Sequence, residues 1–264
     1  MTEFNQHIMA SWQQTVSEAY VGDCEQVFYD EKVADLFGFN ALQVGGALNY
    51  LHQSRVAYRF IATSVNSKYQ HDIQYQLVCE DDFLPFPEMS IDVLLLPRRL
   101  EFSPRPHQTL REAFRVLVPD GYVLITGFNP LSLWGLKALI KRLLTRQSLL
   151  HYPWHGRLIR LARLKDWMSV LGFEIQACGF LAHAPPVNSP KWLVRFKWLE
   201  RLTAKCLSAL GGMYYIVAKK RVVGLTPIKP KWQAQKLTSV LAGQKNKNMP
   251  SQKNSSNENV KTHE

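Results

Sequence analysis

Residues 79–130 read CEDDFLPFPEMSIDVLLLPRRLEFSPRPHQTLREAFRVLVPDGYVLITGFNP. An acidic turn, Glu80-Asp81-Asp82, leads towards an apolar run from Val93 to Pro97, just after Asp92. A polar segment follows, in which Leu110, Ala113, Phe114 and Leu117 recur at helical spacing. Pro119-Asp120-Gly121 makes a turn, and a second apolar run spans Tyr122 to Thr126. Strand, helix, turn and strand form a βαβ unit. Two continuously apolar strands joined by a helix belong in a parallel sheet covered on both faces, so the expected fold class is α/β.

Outward from this unit, Ala41 to Val44 reads as the first strand, running into a turn at Gly45-Gly46. Tyr58–Ser64, Ile73–Val78 and Phe173–Phe180 are further strands, and Met213–Lys219 is an antiparallel partner of the last of these. Amphipathic spacing predicts helices over Ile8–Ala19, Val27–Phe37 and Leu131–Leu150, and another over Leu164–Leu171 that Gly172 stops. An insert, Ala182–Gly212, holds a basic amphipathic helix over Lys191–Leu210. The chain after Pro227 is rich in Lys, Gln, Asn and Ser, and is expected to be disordered. In a doubly wound sheet the ligand sits beyond the carboxyl ends of the strands, beside the first one. Glycines there let the backbone come close, because no Cβ intervenes.

With 264 residues and 46% hydrophobic content, one α/β domain with appendages accounts for the length. No apolar run reaches the roughly 18 residues of a membrane span. The opening MTEFNQHIMASWQQ has no secretion signal, so a cytoplasmic location is expected. Cys24, Cys79, Cys178 and Cys206 lie far apart and suggest neither metal nor disulfide. The net charge of +11 conceals a division. Residues 1–127 carry 9 Lys/Arg against 16 Asp/Glu, and residues 128–264 carry 23 against 5. Such asymmetry points to an anionic partner or surface for the carboxyl half.

The segments LPFPEMSIDVLL and LREAFRVLVPDGYVLITGFNP resemble the type 11 group of class I S-adenosylmethionine-dependent methyltransferases. Leu84-Pro85-Phe86, Ser90, Asp92, Arg111-Glu112, Arg115-Val116-Leu117 and Pro119-Asp120-Gly121 carry the pattern, and FNPLSLWG (Phe128–Gly135) is similar to a bacterial subgroup of unassigned substrate. The resemblance implies a Rossmann-like fold, with a mostly parallel seven-stranded sheet, an antiparallel last strand and helices on both faces. It implies a methyltransferase-like domain over residues 1–224, with residues 225–264 as a basic tail. S-adenosylmethionine is the implied cofactor, held by Gly45, Gly46, Glu80, Asp81, Asp82, Leu84 and Pro97. Arg98, Arg99, Asn129, His151 and Trp154 are the implied substrate-facing residues; no catalytic residue and no metal ligand is singled out.

The chain departs from the family pattern at three places, one of them Arg98-Arg99, near which relatives often carry a histidine. Gln43 replaces an acid ahead of a shortened glycine motif, and Thr63-Ser64-Val65-Asn66 lacks the acid that normally receives the ribose hydroxyls. Arg98 and Arg99 could grip a substrate phosphate or carboxylate bidentately, or could simply pair with Glu101 and Glu112. Three readings follow: methyl transfer to an unidentified acceptor, a silent relative that binds a partner or an anionic surface, and a membrane-associated enzyme for a lipid or quinone-like acceptor at the inner membrane face. The chain has no RNA-recognition signature, so nucleic acid ranks last among the partners.

Overall fold

The structure is a computed structural model, and it describes residues 15–46, 48–63, 75–144, 156–186, 195 and 208–221. The chain divides into two units, Met1–Val223 and Gly224–Glu264, and every described residue belongs to the first. Most of the expected insert helix, together with His151, Trp154 and the basic tail, lies outside the described residues; of that helix, Arg195 and the 3-10 turn Ser208–Leu210 are described.

Seven strands form one sheet. They are β1 (Asn40–Val44), β2 (Tyr58–Thr63), β3 (Tyr75–Val78), β4 (Ile91–Pro97), β5 (Leu117–Phe128), β6 (Phe173–Leu181) and β7 (Met213–Lys220), in the order β3-β2-β1-β4-β5-β7-β6. Neighbours from β3 to β5 are parallel, and β7 runs antiparallel to both β5 and β6. The strand order reverses between β1 and β4, which makes the crevice above their carboxyl ends the topological switch point.

The two-residue period of β4 explains why its run is apolar throughout. Leu94 and Leu96 face one side, where they join Leu110 and Ala113 of α2 (Pro106–Val116) and Leu164 and Met168 of α4 (Leu161–Leu171). Val93 and Leu95 face the other side and meet Phe28, Tyr29 and Val33 of α1 (Val16–Ala34). A fourth helix, α3 (Leu133–Leu144), seats the buried Trp134 against Phe128. Gly172 ends α4 in the left-handed region at φ 95°, as its place after Leu171 predicts.

Three details differ from the expectations. The helix over residues 16–34 runs through the gap between the expected segments Ile8–Ala19 and Val27–Phe37, where Glu25 on its buried face interrupts the apolar stripe; positions 8–14 of the first segment lie outside the described residues. Leu117 caps α2 in extended backbone and opens β5, so it does not continue the helical stripe. The Pro119-Asp120-Gly121 turn survives only as an irregularity inside β5, where the register with β4 jumps from Ile91↔Leu117 to Val93↔Tyr122.

Several residues that carry the family pattern hold the scaffold. Asp92 Oδ2 accepts the backbone N–H groups of Phe39 and Asn40, both at 2.9 Å, and so fixes the start of β1. Glu112 accepts the Leu84 N–H at 3.0 Å and pairs with Arg115, which donates to the carbonyls of Leu84 and Phe86. This clamp sets the course of the loop after β3.

Candidate functional site

The crevice at the switch point is built from the loops that leave β1, β3 and β4. After β1, Gly45 and Gly46 adopt φ 77° and φ 91°, a region that L side chains rarely enter. A Cβ on Gly46 would lie 2.8 Å from Pro97, 2.9 Å from Tyr50 and 3.0 Å from Gln43. Gln43, the residue in place of the family acid, donates to the carbonyls of Gly45 (2.9 Å) and Leu48 (2.7 Å), and its own carbonyl accepts the Tyr50 N–H (2.9 Å). It therefore ties the loop together from within.

The acidic turn after β3 splits three ways. Glu80 is exposed and Asp82 is half-buried, its carboxylate 3.7 Å from Arg105. Asp81 is buried; Oδ2 receives the Arg99 guanidinium, and Oδ1 has no hydrogen-bond partner among the described residues. Burial pushes the Asp81 carboxyl above its ordinary value, against the pull of Arg99. Burial also pushes the neighbouring Cys79 thiol up to about 11, so it is a poor nucleophile at neutral pH.

The two arginines after β4 diverge because Arg98 has φ 50°, an unusual conformation for a residue with a side chain. Arg99 crosses above Gly45, where a Cβ would meet its Cδ at 3.0 Å, and ends on Asp81. Arg98 turns inward beneath α1. It grips Glu18 with two bonds of 2.8 and 2.9 Å and lies 2.9 Å from Glu25. Glu25 also accepts from Tyr50 (2.8 Å) and Thr126 (2.6 Å). Arg98 therefore faces the interior, where its charge also acts on the buried Glu101, while Arg99 pairs with Asp81.

Burial, opposed by Arg98, raises Glu18 to about 7. Glu101 is also buried, accepts the Phe128 N–H, and is raised well above the carboxylate range by burial. The crevice floor thus rests on an acid-rich buried network that joins α1, β4 and β5. The contribution of α1 is the part that motif reading misses. Its signal was present: Glu18 and Glu25, seven residues apart, share a helix face with Val21 and Phe28.

Of the remaining candidates, Pro97 is buried at the end of β4 and faces Gly46. Leu84 has its side chain in the main core and its N–H on Glu112. Asn129 is buried and fully engaged, donating to the carbonyls of Ala209 and Gly211 and accepting from Leu131. The structure therefore brings Gly45, Gly46, Asp81, Pro97 and Arg99 together, while Arg98, Leu84 and Asn129 point elsewhere.

A family model described as a methyltransferase domain matches residues 44–125, the span from the end of β1 to the middle of β5. YafS of Escherichia coli K12, an uncharacterized protein, is 34% identical over 191 residues, which are 72% of this chain and 72% of that one. Among solved structures, a chain of the complex between the Haloferax volcanii Trm112 methyltransferase activator and a methyltransferase superposes with TM-score 0.60 at 14% identity, covering 84% of this chain and 99% of its own. An S-adenosylmethionine-dependent methyltransferase from Archaeoglobus fulgidus gives TM-score 0.55 at 17% identity over 80% and 99% of the two chains. The chain therefore belongs to the same family as YafS, carries a methyltransferase-domain match from the end of β1 to the middle of β5, and shares its fold with S-adenosylmethionine-dependent methyltransferases.

Proposed function

We propose that the chain transfers a methyl group from S-adenosylmethionine, held in the crevice between Gly45-Gly46 and Asp81, to an acceptor of its own. The observation that carries this reading is the glycine pair. Both residues are locked in left-handed backbone, with no room for a side chain on Gly46, and they bring bare main chain to the switch point. The unbonded Asp81 oxygen is a second point of fit, since a buried acceptor without a partner is costly unless a donor arrives. When bound, the cofactor supplies a methyl group already activated by its sulfonium. The chain's own work is then to bind, orient the acceptor and exclude water. Gln43 keeps the glycine loop in shape, and the Glu112–Arg115 clamp holds the loop that bears Asp81.

One observation favours a second reading, a silent member that binds a partner through the same scaffold. Arg99 lies across Gly45 and already occupies Asp81, so the cofactor has to displace it. Titration calorimetry of the full chain with S-adenosylmethionine separates the two. Methyl transfer requires a dissociation constant below about 1 mM, equivalent to more than about 4 kcal/mol. Absence of binding at that level would transfer the case to the silent reading.

A further inference from the structure

The loop that carries Arg99 ends at a second hollow. A cavity of about 960 Å³ opens between the amino-terminal ends of α2 and α4. Arg105 and Arg111 line one side of it, and Arg157, Arg160 and Arg163 line the other, with Asp166 as the single carboxylate on the wall. Among the described residues, no carboxylate pairs with Arg111, Arg157 or Arg160. Trp167 adds a flat apolar wall, with His107 packed on its ring and the Arg163 guanidinium 5.2 Å from the ring centre.

The helix ends make this concentration of charge unusual. The first turn of a helix exposes unsatisfied N–H groups and a partial positive charge, which Ser, Thr, Asp or Glu normally answer. Here Arg105 and Arg160 hold the N-cap positions, no side chain caps either helix, and neither first turn contains an acid. Two positive helix ends and five guanidinium groups therefore converge on one concave space. Their mutual repulsion is relieved by a bound anion, and the planar forks of arginine match phosphate oxygens two at a time.

We infer that this cavity binds a small phosphorylated molecule, with its phosphate groups on Arg111, Arg157 and Arg160 and its organic part against Trp167. The volume suits a ligand of metabolite size, and the concave shape favours such a ligand over a flat lipid surface. Arg105 links the cavity to the crevice, since its guanidinium also lies 3.7 Å from Asp82. The molecule held here is thus the methyl acceptor, an assignment that rests on the methyl-transfer reading; phosphate binding by itself does not.

The probe is inorganic pyrophosphate, titrated into the full chain by calorimetry alongside a separate titration with S-adenosylmethionine. The expected result is pyrophosphate binding by the wild type, weakened about tenfold or more in the Arg111→Gln/Arg160→Gln double variant, with cofactor affinity unchanged. Both side chains are exposed, so an unaltered circular dichroism spectrum is expected as well. No binding of pyrophosphate, or equal binding by both proteins, would overturn the inference. So would sedimentation with phosphatidylglycerol vesicles that depends on the same two arginines while pyrophosphate does not bind, which would reassign the charge to a membrane surface. Loss of S-adenosylmethionine binding alone, with pyrophosphate binding intact, would remove the acceptor role and leave the phosphate site standing.

Discussion

At the scale of single residues, the Arg98–Arg99 step decides what the crevice is. Left-handed backbone at a non-glycine residue costs about 1–3 kcal/mol, and at Arg98 it accompanies the inward turn that brings the guanidinium to Glu18 and Glu25. The same turn sends Arg99 over Gly45. If Arg99 competes with the cofactor for Asp81, then Arg99→Ala should bind S-adenosylmethionine about tenfold more tightly than the wild type, and Asp81→Asn more weakly, in parallel titrations. Glu18 makes a separate prediction. Its folded-state value is raised from 4.5 to about 7, so its stabilising contribution is complete below pH 4.5 and is lost as pH rises to about 7. The melting temperature of the wild type should therefore fall more steeply across that window than that of Glu18→Gln. Glu101 and Asp81 shift in the same direction but remain in both proteins, so the difference isolates Glu18. The spacing of Glu18 and Glu25 is visible in the sequence, but their pairing with Arg98 is not. The Arg98–Glu18 pair spans 80 positions, and no local pattern announces an arginine with positive φ.

Secondary-structure elements were far more legible, for a physical reason. Strands β4 and β5 are buried on both faces, so their residues must be apolar almost without a break, and such runs stand out. The Gly172 stop was readable because only glycine takes that cap geometry without strain. By contrast, α1 is hard to delimit from apolar spacing, because the buried Glu18 and Glu25 replace part of its apolar stripe. The motif residues also hold elements together. Glu112 pairs with Arg115, which holds its carboxyl below the ordinary carboxylate value and keeps it charged to accept from Leu84. Removing it in Glu112→Ala should cost about 1.5–3 kcal/mol, the range for a hydrogen bond to a charged group, as read by urea denaturation. A change within about 0.5 kcal/mol would mean that the clamp is ornamental.

At the scale of the whole molecule, α2 and α4 cover one face of the sheet and α1 covers the other, and the carboxyl ends of β1 and β4 meet at one crevice. Where that crevice lies was readable from the glycine turn after the first strand. That Arg99 fills it was not, because a side-chain path across a cleft leaves no periodicity. The central claim is that this crevice receives S-adenosylmethionine. A crystal structure of the full chain grown with S-adenosylhomocysteine, the demethylated product, tests it most directly. The account predicts density for the product over Gly45 and Gly46, with Arg99 withdrawn from Asp81. An intact Arg99–Asp81 pair over an empty crevice, at saturating product, would contradict it.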